Sequence, residues 1–267
     1  MEKKFEKNTF AKRIKTMLNV DARRMFTSKF TYILIASCFV MPILILVMTT
    51  MMDGSVSVDP QTGKETVIEG FDNVWQIIGS TSDAGMSMDM GITSMCNINL
   101  LYFLLSVLVC IFTAADFRSG FSKSLFTVRS KKADYVISKT IVCSLASALM
   151  VLAFFIGSMI GGAIAGLSFE MAEFSAINLV FCLLSKVILV AVFVPIYLLM
   201  SVIAKQRSWL SICLSMMLGM FLFMMIPILT PLDSTFINPL LCVVGGVLLG
   251  LGFGAISNAV LKKTALV

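Results

Sequence analysis

The sequence predicts an all-α integral membrane protein with six transmembrane helices, both termini in the cytoplasm and an N-terminal amphipathic helix at the membrane interface. Two observations predict this class. The chain is 58% hydrophobic and only 13% charged, a composition typical of membrane proteins. Its apolar residues also fall into long stretches separated by short charged segments, and the basic segments alternate with acidic ones.

The apolar stretches define the spans. A bilayer core about 30 Å thick needs roughly 20 apolar residues to be crossed by a helix. The predicted spans are 30–52, 94–115, 140–166, 177–203, 209–230 and 238–261. They leave too little chain for a separate soluble core, so we expect a cytoplasmic N-terminal segment, 1–29, and one transmembrane domain, 30–267.

The basic residues predict the orientation. Nine of them lie in 1–29 and six in 116–139, whereas Lys64 is the only one in the loops predicted on the other side. By the positive-inside rule the basic segments lie in the cytoplasm of a multi-pass cell-membrane protein. The net charge of +6 therefore indicates topology and attraction to anionic membrane lipids, and not a nucleic-acid partner.

The segment before the first span has helical periodicity. Over 9–28, with Thr9 as a candidate cap, apolar residues recur at spacings of three, four and seven, and basic residues occupy the remainder. A basic amphipathic helix next to a span is typical of the membrane surface. The alternative is a basic anchor that only sets orientation.

The loop at 53–93 is the largest segment predicted outside. Alternating runs at 55–58 and 65–69 flank a Pro/Gly turn and predict a small hairpin. Residues 71–79 then predict a short amphipathic helix in the membrane interface, with Trp75 in the aromatic belt. A flexible loop is the alternative.

Several function classes are disfavoured. The chain has no His, and its seven Cys are dispersed along it, so neither a metal site nor a disulfide framework is predicted. No Asp or Glu lies inside the predicted spans, which argues against an intramembrane enzyme. We therefore predict no catalytic and no metal-binding residues.

Two features inside the spans stand out. Lys186 is the only basic residue within a span, so it is a candidate for the substrate pathway; the competing interpretation is a lysine that reaches the outer interface. Gly157, Gly161, Gly162 and Gly166 form small-xxx-small frames that allow close helix packing.

The loop at 116–139 is long for a link between helices and mixes apolar residues with charges. Phe117, Phe121, Leu125 and Val128 are spaced four, four and three apart, so a short helix would present them as one stripe. We expect this stripe to be a docking surface for another protein.

This loop resembles the one between spans two and three of ABC-2 type transporter permeases, including those of the bacteriocin and lantibiotic immunity type. The residues that carry the resemblance are Asp116, Phe117, Arg118, Gly120, Lys123, Leu125, Phe126, Arg129, Ser138 and Lys139. Family members often have Thr after the glycine, where this chain has Phe121. The size, the six spans and the large outside loop agree as well.

The resemblance implies one subunit of an exporter. Two such permeases, identical or related, pair, and each docks a separate ATPase that holds ATP and Mg²⁺; the loop 116–139 acts as the coupling helix. The chain has no G-x-x-x-x-G-K-[ST] motif and so would bind no nucleotide by that route. The implied cargo is amphipathic, lipid-like or a peptide. The resemblance also implies a role in antimicrobial peptide resistance. The alternative is a sensor or scaffold that binds a ligand outside and signals through the same loop.

Overall fold

The computed structural model describes residues 10–58, 65–67, 70–81, 96–128, 132–171, 174–223 and 225–263. Within them lie nine α-helices and two short strands. The helices are α1 Phe10–Thr27, α2 Lys29–Met52, α3 Leu101–Arg118, α4 Phe121–Val128, α5 Lys132–Ala165, α6 Ala176–Ala204, α7 Ser208–Phe223, α8 Met225–Leu229 and α9 Ile237–Lys263; the strands are β1 Val56–Val58 and β2 Glu65–Val67.

Five of the described helices are long and apolar enough to cross a membrane: α2, α3 with the 3₁₀ turn before it, α5, α6 and α9. The stretch predicted as a span at 209–230 forms two shorter helices, α7 and α8. At 1.5 Å per residue, the 16 residues of α7 span about 24 Å, which is shorter than the bilayer core. Five of the six predicted spans thus correspond to helices that are long and apolar enough to cross, and the sixth stays a prediction.

The centre of the bundle is α6. This helix is the most deeply buried of the five, and it packs against α3, α5, α7 and α9. By contrast, α2 packs mainly on α5, and α9 mainly on α6, so both lie at the periphery with long aliphatic faces exposed. Such faces suit lipid or another membrane helix.

The predicted small-residue frame brings α5 against α2. A Cβ added at Gly157 would collide with the carbonyl oxygen of Phe39, and one added at Gly161 would lie 2.8 Å from the Cα of Ile43. The two helix backbones can approach this closely because neither glycine has a side chain.

The basic segments gather at one end of the bundle. Arg13 of α1 pairs with Asp134 of α5, Arg118 of α3 donates to Ser208 of α7, and the Lys132 side chain donates to the carbonyl of Leu261 near the end of α9. We call this the basic end. The positive-inside argument predicts that it faces the cytoplasm.

The far end holds the loops with the acidic residues. As predicted, β1 and β2 pair antiparallel, with Val56 opposite Val67. The prediction of an interfacial helix at 71–79 is wrong, because Val74–Ile77 forms one 3₁₀ turn and Phe71, Val74, Trp75, Ile77 and Ile78 are all buried inside the protein. The Trp75 indole N–H donates to the carbonyl of Phe169 at 3.2 Å.

Candidate coupling site

The chain turns sharply between α3 and α4. The amide of Ser119 donates to the Ala115 carbonyl at 2.9 Å, and Gly120 follows with φ of 73°. This left-handed conformation favours glycine and ends the helix. Phe121 then begins α4, eight residues long, which lies across the basic end.

The apolar side of α4 faces the protein. Phe121 and Leu125 are partly buried and line a cavity of about 140 Å³ with Thr16, Met17 and Val20 of α1. Phe126 makes an edge-to-face contact with Tyr135 of α5, with ring centroids 5.4 Å apart. The predicted apolar stripe is thus half-buried against the protein at Phe121 and Leu125, and its role as a docking surface stays a prediction. The exposed side of α4 consists of Lys123, Ser124 and Thr127.

A buried ion cluster lies directly beneath this loop. Lys139 of α5 is fully buried, and its amino group lies 2.9 Å from a carboxylate oxygen of Asp21 in α1 and 2.6 Å from one of Asp116 in α3. The hydroxyl of Ser138 donates to Asp21 at 2.6 Å, and that of Tyr135 donates to Asp116 at 3.1 Å. One lysine thus joins three helices.

Arg24 of α1 completes the cluster. Its guanidinium lies 2.6 Å from the second oxygen of Asp116 and stacks over the ring of Phe121, 4.1 Å from the centroid. The cluster of Asp21, Asp116, Arg24 and Lys139 therefore has two negative and two positive charges. This balance matters because an unpaired buried charge is strongly destabilising.

A further contact ties the loop to the next link between helices. Besides the bond from Arg118 to Ser208, at 2.8 Å, the amide of Gln206 donates to the carbonyl of Phe117 at 3.4 Å. The link at 205–207 contains Lys205, which has φ of 55°. The C-terminal end of α3 is thus attached to α6 and α7 as well as to α1 and α5.

Comparison with known proteins shows the family. The model of the family described as ABC-2 family transporter protein matches residues 27–222, which is most of the chain. This protein belongs to the ABC-2 family of transporter proteins. No curated protein and no solved structure matches significantly.

The family match bears on the site directly. It includes α2 to α6 and nearly all of α7, and hence Asp116, α4 and Lys139. Asp21 and Arg24 lie before its first residue. This ABC-2 protein is thus a multi-pass membrane protein whose matched core is joined to α1 through the ion cluster.

The predicted site residues fall into three groups. Asp116, Phe117 and Lys139 are buried, and Lys139 belongs to α5 because that helix begins at Lys132, inside the predicted loop. These three side chains contact the interior of the protein and not its surface. Phe121, Leu125 and Phe126 are half-buried; Gly120 lies at the turn; Arg118 and Lys123 are exposed. Arg129 lies outside the described residues. The docking role of the set stays a prediction.

The sequence argument missed Asp21, Arg24 and Tyr135. A signal for Asp21 was available. It lies four residues from both Met17 and Met25, and all three are buried on one face of α1. An acidic residue at the centre of an apolar face indicates a buried partner, although the periodicity does not say which helix provides it. That face packs on the protein, mainly on α5, so the predicted membrane-surface position of α1 stays untested.

Lys186 is 1% exposed and does not reach the surface. Its amino group donates to the hydroxyl of Thr230 at 2.8 Å. The side chain therefore ends inside the protein, and the depth of Lys186 relative to the outer interface stays a prediction. Its assignment to the substrate pathway stays a prediction.

Proposed function

We propose that this ABC-2 protein is the permease subunit of an exporter, driven by a separate ATPase that docks on the loop 116–139. The partner ATPase binds ATP and Mg²⁺, and two copies act with two permeases, identical or related. The cargo is amphipathic, lipid-like or a peptide. Six crossings and cytoplasmic termini complete the proposal. The 16 residues of α7 and the 5 of α8 would together span about 30 Å if they lie end to end, which is enough for a span.

The observation that carries this proposal is the attachment of α4 to the bundle. Its first residue lies under Arg24, which pairs with Asp116, which in turn pairs with Lys139. A force applied to α4 from outside the bundle therefore passes to α1, α3 and α5 through charged contacts and not through a loose loop. This is what coupling to an ATPase requires.

The charge of the exposed surface indicates the partner's chemistry. Asp21 is the only acidic residue in α1 and α4, and it is buried, whereas Lys12, Lys15, Arg23 and Lys123 are exposed. A complementary partner surface is acidic. Docking then uses the polar side of α4, and the apolar side holds the helix in place.

The test is charge reversal at Lys123. We expect Lys123→Glu to weaken co-purification with the ATPase several-fold and to lower permease-stimulated ATP hydrolysis in proportion, because the variant places like charges in contact. The measurement uses the two subunits co-expressed and purified in nanodiscs. Substitution of Phe117 or Phe121 by Asp is less informative, since both contact the interior.

The matched control is Lys262→Glu, the same change at an exposed lysine near the end of α9. Equal loss of association in both variants would indicate a nonspecific charge effect and contradict docking on α4. A second assay uses vesicles that contain the complex, with a fluorescent amphipathic probe, a labelled lipid or a labelled cationic peptide as cargo. ATP hydrolysis without movement of any of these would instead favour the sensor or scaffold.

A further inference from the structure

At the far end of the bundle, two described segments contact each other. The first, which we call the plug, is 70–81, with five buried apolar side chains. The second, the turn, is 230–234 between α8 and α9. The amide of Leu232 donates to the carbonyl of Ser80 at 2.9 Å, so the plug and the turn are joined.

The plug is also fixed on its other side. The amide of Val74 donates to the carbonyl of Ser168 at 3.1 Å, and the side-chain amide of Asn73 donates to the carbonyl of Glu170 at 2.7 Å. The plug thus bridges the loop after α5 and the turn. Displacement of the turn would remove the support on that side of the plug.

The turn is held in place by Lys186 of α6. Thr230 accepts a hydrogen bond from the Lys186 amino group, and its hydroxyl donates to the carbonyl of Ile226 at 2.8 Å. The thiol of Cys182, one helical turn before Lys186 on α6, donates to the carbonyl of Thr230 at 3.5 Å. Both contacts come from the same face of α6 and meet at one residue of the turn.

The backbone of α6 at Lys186 is itself anchored. The hydroxyl of Tyr102 in α3 donates to the Lys186 carbonyl at 2.9 Å, and the hydroxyl of Tyr197 in α6 donates to the Tyr102 carbonyl at 3.0 Å. All of these groups are buried. The lysine therefore joins a well-held part of the core to a turn that has only a short helix, α8, before it.

We propose that Lys186 is a positioning residue that tethers the turn through Thr230 and thereby keeps the plug seated over the far end of the bundle. Loss of this bond would leave a buried amino group without its Thr230 partner, which is costly in a water-poor interior. The tether therefore accounts for a lysine at a position where an apolar residue would be cheaper to bury. Only the meaning of this closure for transport rests on the proposed function; the tether itself does not.

The experiment is hydrogen–deuterium exchange of the purified protein in nanodiscs, read by mass spectrometry without ATPase or cargo. In Lys186→Met, and separately in Thr230→Val, we expect amides of the turn and of 74–81 to exchange roughly tenfold faster, as loss of one buried hydrogen bond predicts. Thr230→Ser keeps the hydroxyl and is expected to exchange like the wild type.

Two comparisons separate a tether from general loosening. Peptides from α1 and α4, at the opposite end, are expected to keep wild-type exchange in every variant. The double variant Lys186→Met with Thr230→Val is expected to exchange like Thr230→Val alone, because the bond between Lys186 and Thr230 is already absent there. Unchanged exchange in Lys186→Met, additive effects in the double variant, or equally fast exchange at the basic end would each overturn the proposal. If the variants showed the expected exchange but the wild-type protein bound no ATPase, the proposed function alone would be contradicted.

Discussion

Replacement of Lys139 by methionine is expected to destabilise the protein more than any other single change in the candidate coupling site. The variant keeps the length of the side chain but leaves Asp21 and Asp116, both fully buried, with one cation, Arg24, for two carboxylates. Removal of one partner from a buried ion pair costs about 3–5 kcal/mol. We expect a marked fall in the apparent melting temperature, measured by size-exclusion chromatography of detergent-solubilised protein after heating.

Two further variants make this prediction specific. Lys123→Met is the same change at an exposed position and should leave the melting temperature nearly unaltered. Addition of Asp21→Asn to Lys139→Met restores the charge balance, since Asp116 and Arg24 remain as a pair, and should recover much of the stability. Equal melting temperatures for Lys139→Met and Lys123→Met would show that the cluster does not stabilise the protein. So would a double variant, Asp21→Asn with Lys139→Met, that melts no higher than Lys139→Met alone.

The second large effect is expected for Gly157→Ala. This substitution should destabilise the protein, although helix propensity alone predicts that it stabilises. In a helix interior, Gly→Ala normally stabilises by about 0.5–1 kcal/mol. At Gly157 the added methyl group would collide with the carbonyl oxygen of Phe39 and lie 2.9 Å from Cγ of Pro42. Separation of α2 from α5 should cost about 1–3 kcal/mol, as overpacking does elsewhere.

Gly252→Ala is the matched control. Gly252 lies in α9, and a Cβ added there would meet no atom within 4 Å, so the same chemical change should be neutral or slightly stabilising. Gly161→Ala, which faces Ile43 of α2, should behave like Gly157→Ala. Equal melting temperatures for the variants at 157 and 252 would contradict close packing of the two backbones.

Much of the helical layout followed from local properties of the chain. The predicted first span, 30–52, corresponds to α2, Lys29–Met52, and the predicted fourth, 177–203, to α6, Ala176–Ala204. An apolar run long enough to cross a bilayer can be recognised within a window of about 20 residues, without knowledge of the rest of the chain. The start of α5 was harder to place, because Lys132–Lys139 is charged and continues the helix beyond the apolar run.

The candidate site was only partly accessible to the same reasoning. The predicted loop 116–139 contains the turn at Gly120 and α4, but its last eight residues belong to α5. Its family resemblance led to the right family, and the docking role of the stripe from Phe117 to Leu125 stays a prediction. An amphipathic helix has an apolar face in either case. Whether that face meets α1 or another protein depends on the position of α1, about 100 residues earlier in the sequence.

The sequence by itself determined that the chain lies in a membrane, that its basic segments form one group, and that a short amphipathic helix follows α3, because hydrophobicity, charge and periodicity are properties of consecutive residues. Only the tertiary structure decided that Lys139 joins Asp21 to Asp116, that Trp75 is buried and that Lys186 meets Thr230. The residues joined by the bond from Ser138 to Asp21 are 117 positions apart. Pairings over such separations are set by the packing of whole helices and have no local pattern.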